Sequence, residues 1–574
     1  MQPFIKILFK DIMTQMRSRA VRLCSTYLHE TTIPTLHFQD SLPKLPIPPL
    51  EDTLKRFVEA ATPLVPAATL ETTRDAVASF AASEGPVLHA ELLKRDAATY
   101  SSFINEPWLR MYLESRDSLL LNFNPQLTLR DDPSAERAGD QAARAAALVS
   151  SAVRFYRTLR DDHLAPDVFF SQSMLLKRQV ASSYDDIPLA ARIVSMVPGR
   201  AAWHASFALG GYALDMSQYA HLFHSTRVPQ RECDALRAFD APAEGCYVAV
   251  QRGARFWKLP VTTAAGDAVP LVDIEAALRR IAAAPLGEGG AEERAIGLLT
   301  TMPRDEWAAA RAALEGASAQ ARDALATVDG ALFALCLDDD APEDRNAMLR
   351  CLLHGDVQGS TAASSSNQQQ QQQQQPVFNR WLDKSFQLIV TKDGTAAVNF
   401  EHAWGDGVSV LRFCTEMYHD SVRTAVPGEG ERAAAASGAH SREEAIEWGD
   451  LGAASAQVDD ALRAAATRAS GAIASVEQVS LETDVVDSAW IKQQKLSPDG
   501  TLQMAMQLAH WTMHGSTAST YESASTAGFK HGRTETIRSA TPASAAWTAA
   551  MTSSDASECL VQLSFSFCIA SFFV

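Results

Sequence analysis

The chain has no C-x-x-C pair and no cluster of cysteine and histidine at zinc-ligand spacing; its eight cysteines are scattered from Cys24 to Cys568. That distribution supports neither a disulfide framework nor a structural zinc site, and it fits a reducing compartment. Long apolar runs are also missing. No stretch reaches the roughly 20 apolar residues that cross a bilayer, because even the tail 559–574 carries three serines and a glutamine. Positive charge is in deficit, with 51 Lys and Arg against 68 Asp and Glu and a net charge of −17. Nucleic acid is therefore not the expected partner, since its phosphates are met mainly by Lys and Arg. An anionic ligand would need a local basic patch that overrides the global field. No internal repeat of solenoid period is visible.

What is present describes a folded chain with a sizeable core. The 574 residues, 47% hydrophobic and 21% charged, allow three to four domain equivalents or two large domains. Residues 1–25 set Lys6, Lys10, Arg17, Arg19 and Arg22 against the single acid Asp11, with Phe4, Ile5, Ile7, Leu8, Phe9 and Ile12 interspersed. Such a basic, amphipathic start resembles a mitochondrial transit peptide, with an ordinary frayed terminus as the alternative. Pro43, Pro46, Pro48 and Pro49 predict an extended arm, and residues 50–64 show helical spacing. Farther on, an Ala/Arg-rich helical pattern over 134–159 alternates with strand-like runs at 245–251 and 256–261, so the fold class is α/β with mixed α and β elements. Two segments read as surface loops because their composition is poor in core residues. One is 360–378, around the eight glutamines Gln368 to Gln375; the other is the Ala/Gly/Glu-rich stretch 424–475, with room for one amphipathic helix.

Three local patterns suggest chemistry. Residues 386–390 and 395–400 flank an Asp393-Gly394 turn and predict a hairpin. Its second strand delivers Glu401 and His402, followed by Asp406, Gly407 and a helix whose buried face would hold Leu411, Phe413, Cys414 and Met417. A strand-end histidine followed by Asp-Gly suits general-base work, although H-x-x-x-D-G alone is a weak signal. Ser497-Pro498-Asp499 reads as cap, first helical position and first-turn acid of a helix running to about His514, stopped by Gly515. Its stripe Leu502, Ala505, Met506, Ala509 and Met513 is expected in the core. Lys492 and Lys495 precede that helix and could hold a phosphate, a solvated basic loop being the equal alternative. Strand-like alternation over 517–525 puts Tyr521, Ser523 and Ser525 on one face, with Thr534 able to join them after a glycine turn; a polar edge strand is the plainer reading.

Six segments taken in order resemble the choline/carnitine O-acyltransferase family. They are IPTLHFQDSLPKLPIPPLEDTL from Ile33, WLRMYLESRDSLLLNFNP from Trp108, RWLDKSFQLIV from Arg380, FEHAWGDGVSVLRF from Phe400, KLSPD from Lys495 and TYESASTAGFKHGRTETIRSAT from Thr520. The resemblance spans about 30–541 and is strongest to the long-chain, mitochondrial members. It implies two halves similar to chloramphenicol acetyltransferase with an active-site tunnel between them. One half would comprise 26–105 and 215–440, the other 106–214 and 441–541. It assigns the general base to His402, carnitine binding to Tyr521, Ser523 and Thr534, and coenzyme A binding to Lys492, Lys495, Leu496, Ser497, Pro498 and Asp499. Asp406 would pair with Arg533. Carnitine is favoured over choline because Thr534-Glu535-Thr536 matches the carnitine users.

The implied activity is transfer of a long-chain fatty acyl group between coenzyme A and the carnitine hydroxyl, in mitochondrial fatty-acid β-oxidation. Acyl-CoA and carnitine are substrates, and neither a separate cofactor nor a metal is expected. A monomer in the matrix, peripheral on the inner membrane, is the expected setting. The alternatives are a medium- or short-chain enzyme, or an inactive acyl-CoA-binding fragment. The motif resemblance ends near Thr541, so 542–574 is expected to be a tail foreign to the family and the second half incomplete, as in a partial gene model or alternative transcript. The segments expected beyond it would supply oxyanion donors and an arginine for the carnitine carboxylate, so low activity is expected of the chain.

Overall fold

The computed structural model describes residues 26–170, 188–285, 294–355, 378–437 and 442–552. These form two compact units, residues 26–41 with 107–480, and residues 42–106 with 481–552. The transit-peptide reading of 1–25, the glutamine run and the tail 559–574 lie outside the described residues.

The first unit is built on a mixed seven-stranded sheet. Its order is Gln126–Thr128, Ala396–Phe400, Phe386–Val390, Ala334–Leu337, Tyr247–Arg252, Arg255–Pro260 and Glu444–Ile446. The three central strands Phe386–Val390, Ala334–Leu337 and Tyr247–Arg252 run parallel, and the outer pairings are antiparallel. Successive side chains point to opposite faces of a strand, and here both faces are covered. Val248, Val250, Trp257, Leu259, Leu335, Leu388 and Val398 enter one apolar cluster, whereas Tyr247, Ala249 and Phe256 enter another.

The helix Gln141–Arg160 opens on Asp140, whose carboxylate accepts a 3.0 Å hydrogen bond from the Ala143 amide. Ala142, Ala145, Ala146 and Ala152, with Leu148, Val149, Val153 and Phe155, are buried in the first cluster, where the helix packs against Leu271–Ala283 and Gly407–Arg423. This packing groups the chain into compact units whose bounds differ from those of the expected halves. Residues 107–214 belong with 215–480, because this helix lies in the core beside the sheet and Gln126–Thr128 pairs with Ala396–Phe400.

A correction concerns 424–475. The helix Ser455–Ala474 buries Val458, Leu462, Ala465, Ala466 and Ala469 in the cluster that holds Trp307 and Leu314. Residues Glu444–Ile446 extend the sheet. Alanines at i, i+3 and i+4 spacing make a narrow face that packs closely, so a segment poor in large apolar residues still contributes core. Phe378, placed at the end of the glutamine-rich loop, is also buried, and its carbonyl accepts 2.8 Å from Gln251 Nε2. In the helix after His402, Phe413, Cys414 and Met417 are buried as expected, but Leu411 is exposed.

The second unit holds the helices Leu50–Ala61, Ala67–Ala82, Glu84–Ala98, Pro498–His514 and Pro542–Thr552, and a hairpin of Glu522–Ser525 with Thr534–Ile537. The helix Pro498–His514 packs against Pro542–Thr552. The stripe expected in the core is instead open, with Leu502, Met506 and Met513 exposed. Gln507 Nε2 of the same helix donates 3.0 Å to the Ser539 carbonyl.

Candidate active site

The hairpin that leads to His402 forms as the sequence predicts. Phe386–Val390 and Ala396–Phe400 pair in register from Ala396 opposite Val390 to Phe400 opposite Phe386. Gly394 adopts φ of +85°, a conformation that costs glycine little, and the Asp393 carboxylate accepts 3.2 Å from the Thr395 amide. The register is thus set at the turn and carried to the strand end, where the chain leaves the sheet at Glu401.

Glu401 is a buried carboxylate. Its Oε1 lies 2.9 Å from Arg227 Nη1, and its Oε2 accepts 3.1 Å from the Ala403 amide, so one side chain brackets the backbone on both sides of His402. The Trp404 indole donates 2.8 Å to the Ser385 carbonyl and pins the loop from beyond. The His402 ring lies parallel to Tyr112, with centroids 5.4 Å apart and planes 9° from each other, and it meets Phe400 at 5.5 Å. Its Nδ1 is 3.9 Å from Asp406 Oδ1, longer than a hydrogen bond. The imidazole is about a quarter exposed, so it is fixed by packing yet open to a substrate.

Asp406 is itself held. Gln218 Nε2 donates 2.9 Å to Asp406 Oδ2, and Gln218 Oε1 accepts 2.8 Å from the Asp406 amide and 3.2 Å from Ser409 Oγ. Asp406 occupies the cap position of Gly407–Arg423, where its negative charge meets the positive end of the helix dipole. Tyr112, Gln218 and Arg227 did not stand out in the sequence. Tyr112 lies within one of the six quoted segments, but no spacing rule marks a stacking partner 290 positions before its histidine, counting from 112 to 402.

In the second unit, the helix expected after Lys495 begins as read. Ser497 Oγ accepts 3.2 Å from the Gly500 amide, Pro498 is the first helical residue, and Gly515 closes the helix with φ of +65°. Lys492 and Lys495 are exposed on the short helix and turn before it. Asp499 lies beside Glu522, whose carboxyl is pushed above its ordinary range by burial and by its hydrogen bond to Asp499. In the hairpin, Ser525 faces Thr534 and Ser523 faces Thr536. Directly opposed residues share a face, so Ser523, Ser525, Thr534 and Thr536 form a row of hydroxyls, with Tyr521 just before the strand and exposed. The strand itself is shorter than the predicted 517–525. Gly532 lets the turn close, since a Cβ there would meet the Thr526 carbonyl oxygen at 1.8 Å. Arg533 precedes the second strand of this unit, whereas Asp406 belongs to the first.

The chain is similar in sequence to known proteins. The chain is 38% identical over 523 residues to Carnitine O-palmitoyltransferase 2, mitochondrial, of Mus musculus, covering 90% of this chain and 72% of that one. The Rattus norvegicus protein of the same name is 38% identical over 516 residues with the same coverage. Choline O-acetyltransferase of Sus scrofa is 31% identical over 522 residues, 89% of this chain and 71% of that one. The family described as Choline/Carnitine o-acyltransferase matches residues 45–570. That span continues past Thr541 and takes in most of the segment expected to be foreign, because a family pattern extends over residues that no short motif marks. With a strand-end histidine stacked on an aromatic ring, an Asp-Gly helix start behind it and a match over most of its length, the chain belongs to the choline/carnitine O-acyltransferase family of enzymes.

Proposed function

We propose that the chain transfers a long-chain acyl group between coenzyme A and the hydroxyl of carnitine, with His402 as general base. The observation that carries the reading is the setting of His402, at a strand end, stacked on Tyr112 and partly exposed. A carnitine hydroxyl is too weak an acid to ionise near neutral pH. Neutral imidazole takes its proton as the oxygen attacks the thioester carbonyl carbon. The C–O bond forms, the C–S bond breaks, and the proton returns from His402 to the departing sulfur. In the reverse direction the same ring takes the thiol proton. The choice of carnitine and a long chain draws on the names of the mouse and rat relatives. A mitochondrial location has the same support.

The remaining assignments belong to the same proposal. Tyr521, Ser523 and Thr534 hold carnitine through hydroxyls. The segment with Lys492, Lys495, Leu496, Ser497, Pro498 and Asp499 holds coenzyme A, combining two cations with the amide-rich start of a helix. Asp406 pairs with Arg533 as a carboxylate–guanidinium contact that fixes the loop carrying the base.

The test compares wild type and His402→Ala across acetyl-, octanoyl- and palmitoyl-CoA, with carnitine or choline as acceptor. Palmitoyl transfer to carnitine should be fastest, and His402→Ala should lower its kcat by about 100-fold or more while acyl-CoA binding stays near normal. A variant that keeps more than about a tenth of the rate removes His402 from the role. A preference for acetyl-CoA or choline would reassign the substrate to the class named for the Sus scrofa relative.

A further inference from the structure

The first unit contains a buried ionic network that the proposed chemistry does not use. Arg227 lies on the strand Ser225–Val228 with its side chain fully buried. Its guanidinium makes three contacts in three directions: Nε to Asp234 Oδ2 at 2.7 Å, Nη1 to Glu401 Oε1 at 2.9 Å, and Nη2 to the Tyr112 carbonyl at 2.6 Å. Asp234 also accepts from Arg304 Nε at 2.6 Å and lies 3.1 Å from Arg116 Nη2. Arg304 reaches on to Asp383 at 2.7 Å, and Asp383 accepts 2.6 Å from the Trp307 indole. The guanidiniums of Arg116, Arg227 and Arg304 thus meet the carboxylates of Asp234, Asp383 and Glu401, and at the edge of the network Arg116 Nη1 also lies 3.2 Å from Asp305.

Two of the Arg227 contacts converge on one side chain. Glu401 is the residue before His402 and also ties down the Ala403 amide after it. Tyr112 supplies the ring on which His402 stacks. A single planar fork therefore sets both the backbone that carries the imidazole and the aromatic face against which it rests. The strand holding Arg227 is fixed in turn, since the Arg227 amide donates 2.9 Å to the Asp383 carbonyl. Burying so many charges costs heavily unless every partner is in place, and a hydrophobic filling of the same volume would serve stability as well. The geometry, in contrast, is specific to the fork: a lysine keeps the charge but cannot reach three diverging acceptors.

We propose that Arg227 is a positioning residue for the proposed base, holding the His402 backbone through Glu401 and the Tyr112 ring in mutual register. This rests on the assignment of His402. Displacement of a reacting group by about 1 Å can cost on the order of 100-fold in rate.

The test is a cycle of Arg227→Lys, His402→Ala and the double variant, assayed on the full chain with palmitoyl-CoA and carnitine, with thermal melts alongside. Arg227→Lys should lower kcat about 10- to 100-fold, with KM for both substrates within about twofold. In the His402→Ala background the same substitution should cost less than about threefold, because a residue that acts only through the base has nothing left to position. Equal losses in both backgrounds overturn the proposal, as does a folded Arg227→Lys enzyme at full rate. If Arg227→Lys does not accumulate as folded protein, Glu401→Gln carries the same cycle with the same criteria, since it keeps the shape and removes the charge that Arg227 grips. Retention of activity by His402→Ala sinks the base assignment itself. A dead His402→Ala enzyme with unaffected Arg227 and Glu401 variants sinks only the positioning role.

Discussion

Gln218 offers a sensitive check of how the loop after His402 is held, because it contacts Asp406 on both amide and carboxylate. The perturbation is Gln218→Ala. It removes an accepted hydrogen bond from the Asp406 amide at 2.8 Å, a donated one to the Asp406 carboxylate at 2.9 Å and a longer one from Ser409 at 3.2 Å. A bond to a charged group contributes roughly 1.5–3 kcal/mol and a neutral one about 0.5–1.5. The two short bonds together would give about 2–4 kcal/mol if no water could replace them. Gln218 is only half-buried, so water recovers part, and roughly 1–2 kcal/mol is the expected loss. In a thermal melt of a unit this large, it appears as a drop of about 1–2 °C. The kinetic effect should be larger. Asp406 starts the helix that follows the loop, and release of its clamp should lower kcat by about 10-fold. Gln218→Glu sets a carboxylate against Asp406 and should be worse than alanine on both measures. A Gln218→Ala enzyme with kcat within about twofold of wild type and a melt within about half a degree would refute the clamp.

Two further predictions address other parts of the chain. Burial pushes the ammonium of Lys384 down to about 7, against an ordinary value of 10.5, with the negative charge of Asp329 opposing part of that shift. Between those values the unfolded chain binds more protons than the folded one, so Lys384 makes stability rise as pH climbs from about 7 toward 10.5, its full penalty applying below 7. Lys384→Met should flatten that rise in urea midpoints between about pH 7 and 9; an unchanged slope would show that Lys384 stays protonated by other means. Gly532→Ala should disturb the hydroxyl row, because the new methyl would overlap a backbone oxygen that cannot swing aside. The KM for carnitine should rise by about 10-fold or more with the KM for palmitoyl-CoA little changed, and equal shifts in both would count against a carnitine role for that hairpin.

Parts of the site were legible because their causes are local. An Asp-Gly turn between two β-prone runs has few alternatives, and the predicted hairpin over 386–400 forms with Gly394 at positive φ. Ser497, Pro498 and Gly515 mark a helix by supplying a cap, a preset φ and a left-handed stop, and the helix Pro498–His514 runs between them. His402 stood out for the same reason, as a strand end followed by Asp-Gly. Leu411, Leu502, Met506 and Met513 were misread because periodicity shows which residues share a face and is silent on which face meets a neighbour.

Composition misled where packing overrides it. The stretch 424–475 reads as solvent-exposed, yet Ser455–Ala474 is a core helix because its small residues meet Trp307 and its neighbours closely. The division of the chain was decided the same way, by the burial of Gln141–Arg160 beside strands far from it in sequence.

The sequence by itself determined a mixed α/β chain, the hairpin that delivers His402, the capped helix after Lys495 and the family, since each depends on neighbouring residues or on ordered strings of them. Only the tertiary structure decided that Tyr112 stacks on His402, that Gln218 grips Asp406, and that Arg227 joins Glu401 to Tyr112. Those contacts link residues more than a hundred positions apart, and a guanidinium or an amide shows no preference for a distant partner until the sheet and the buried helices bring the two together.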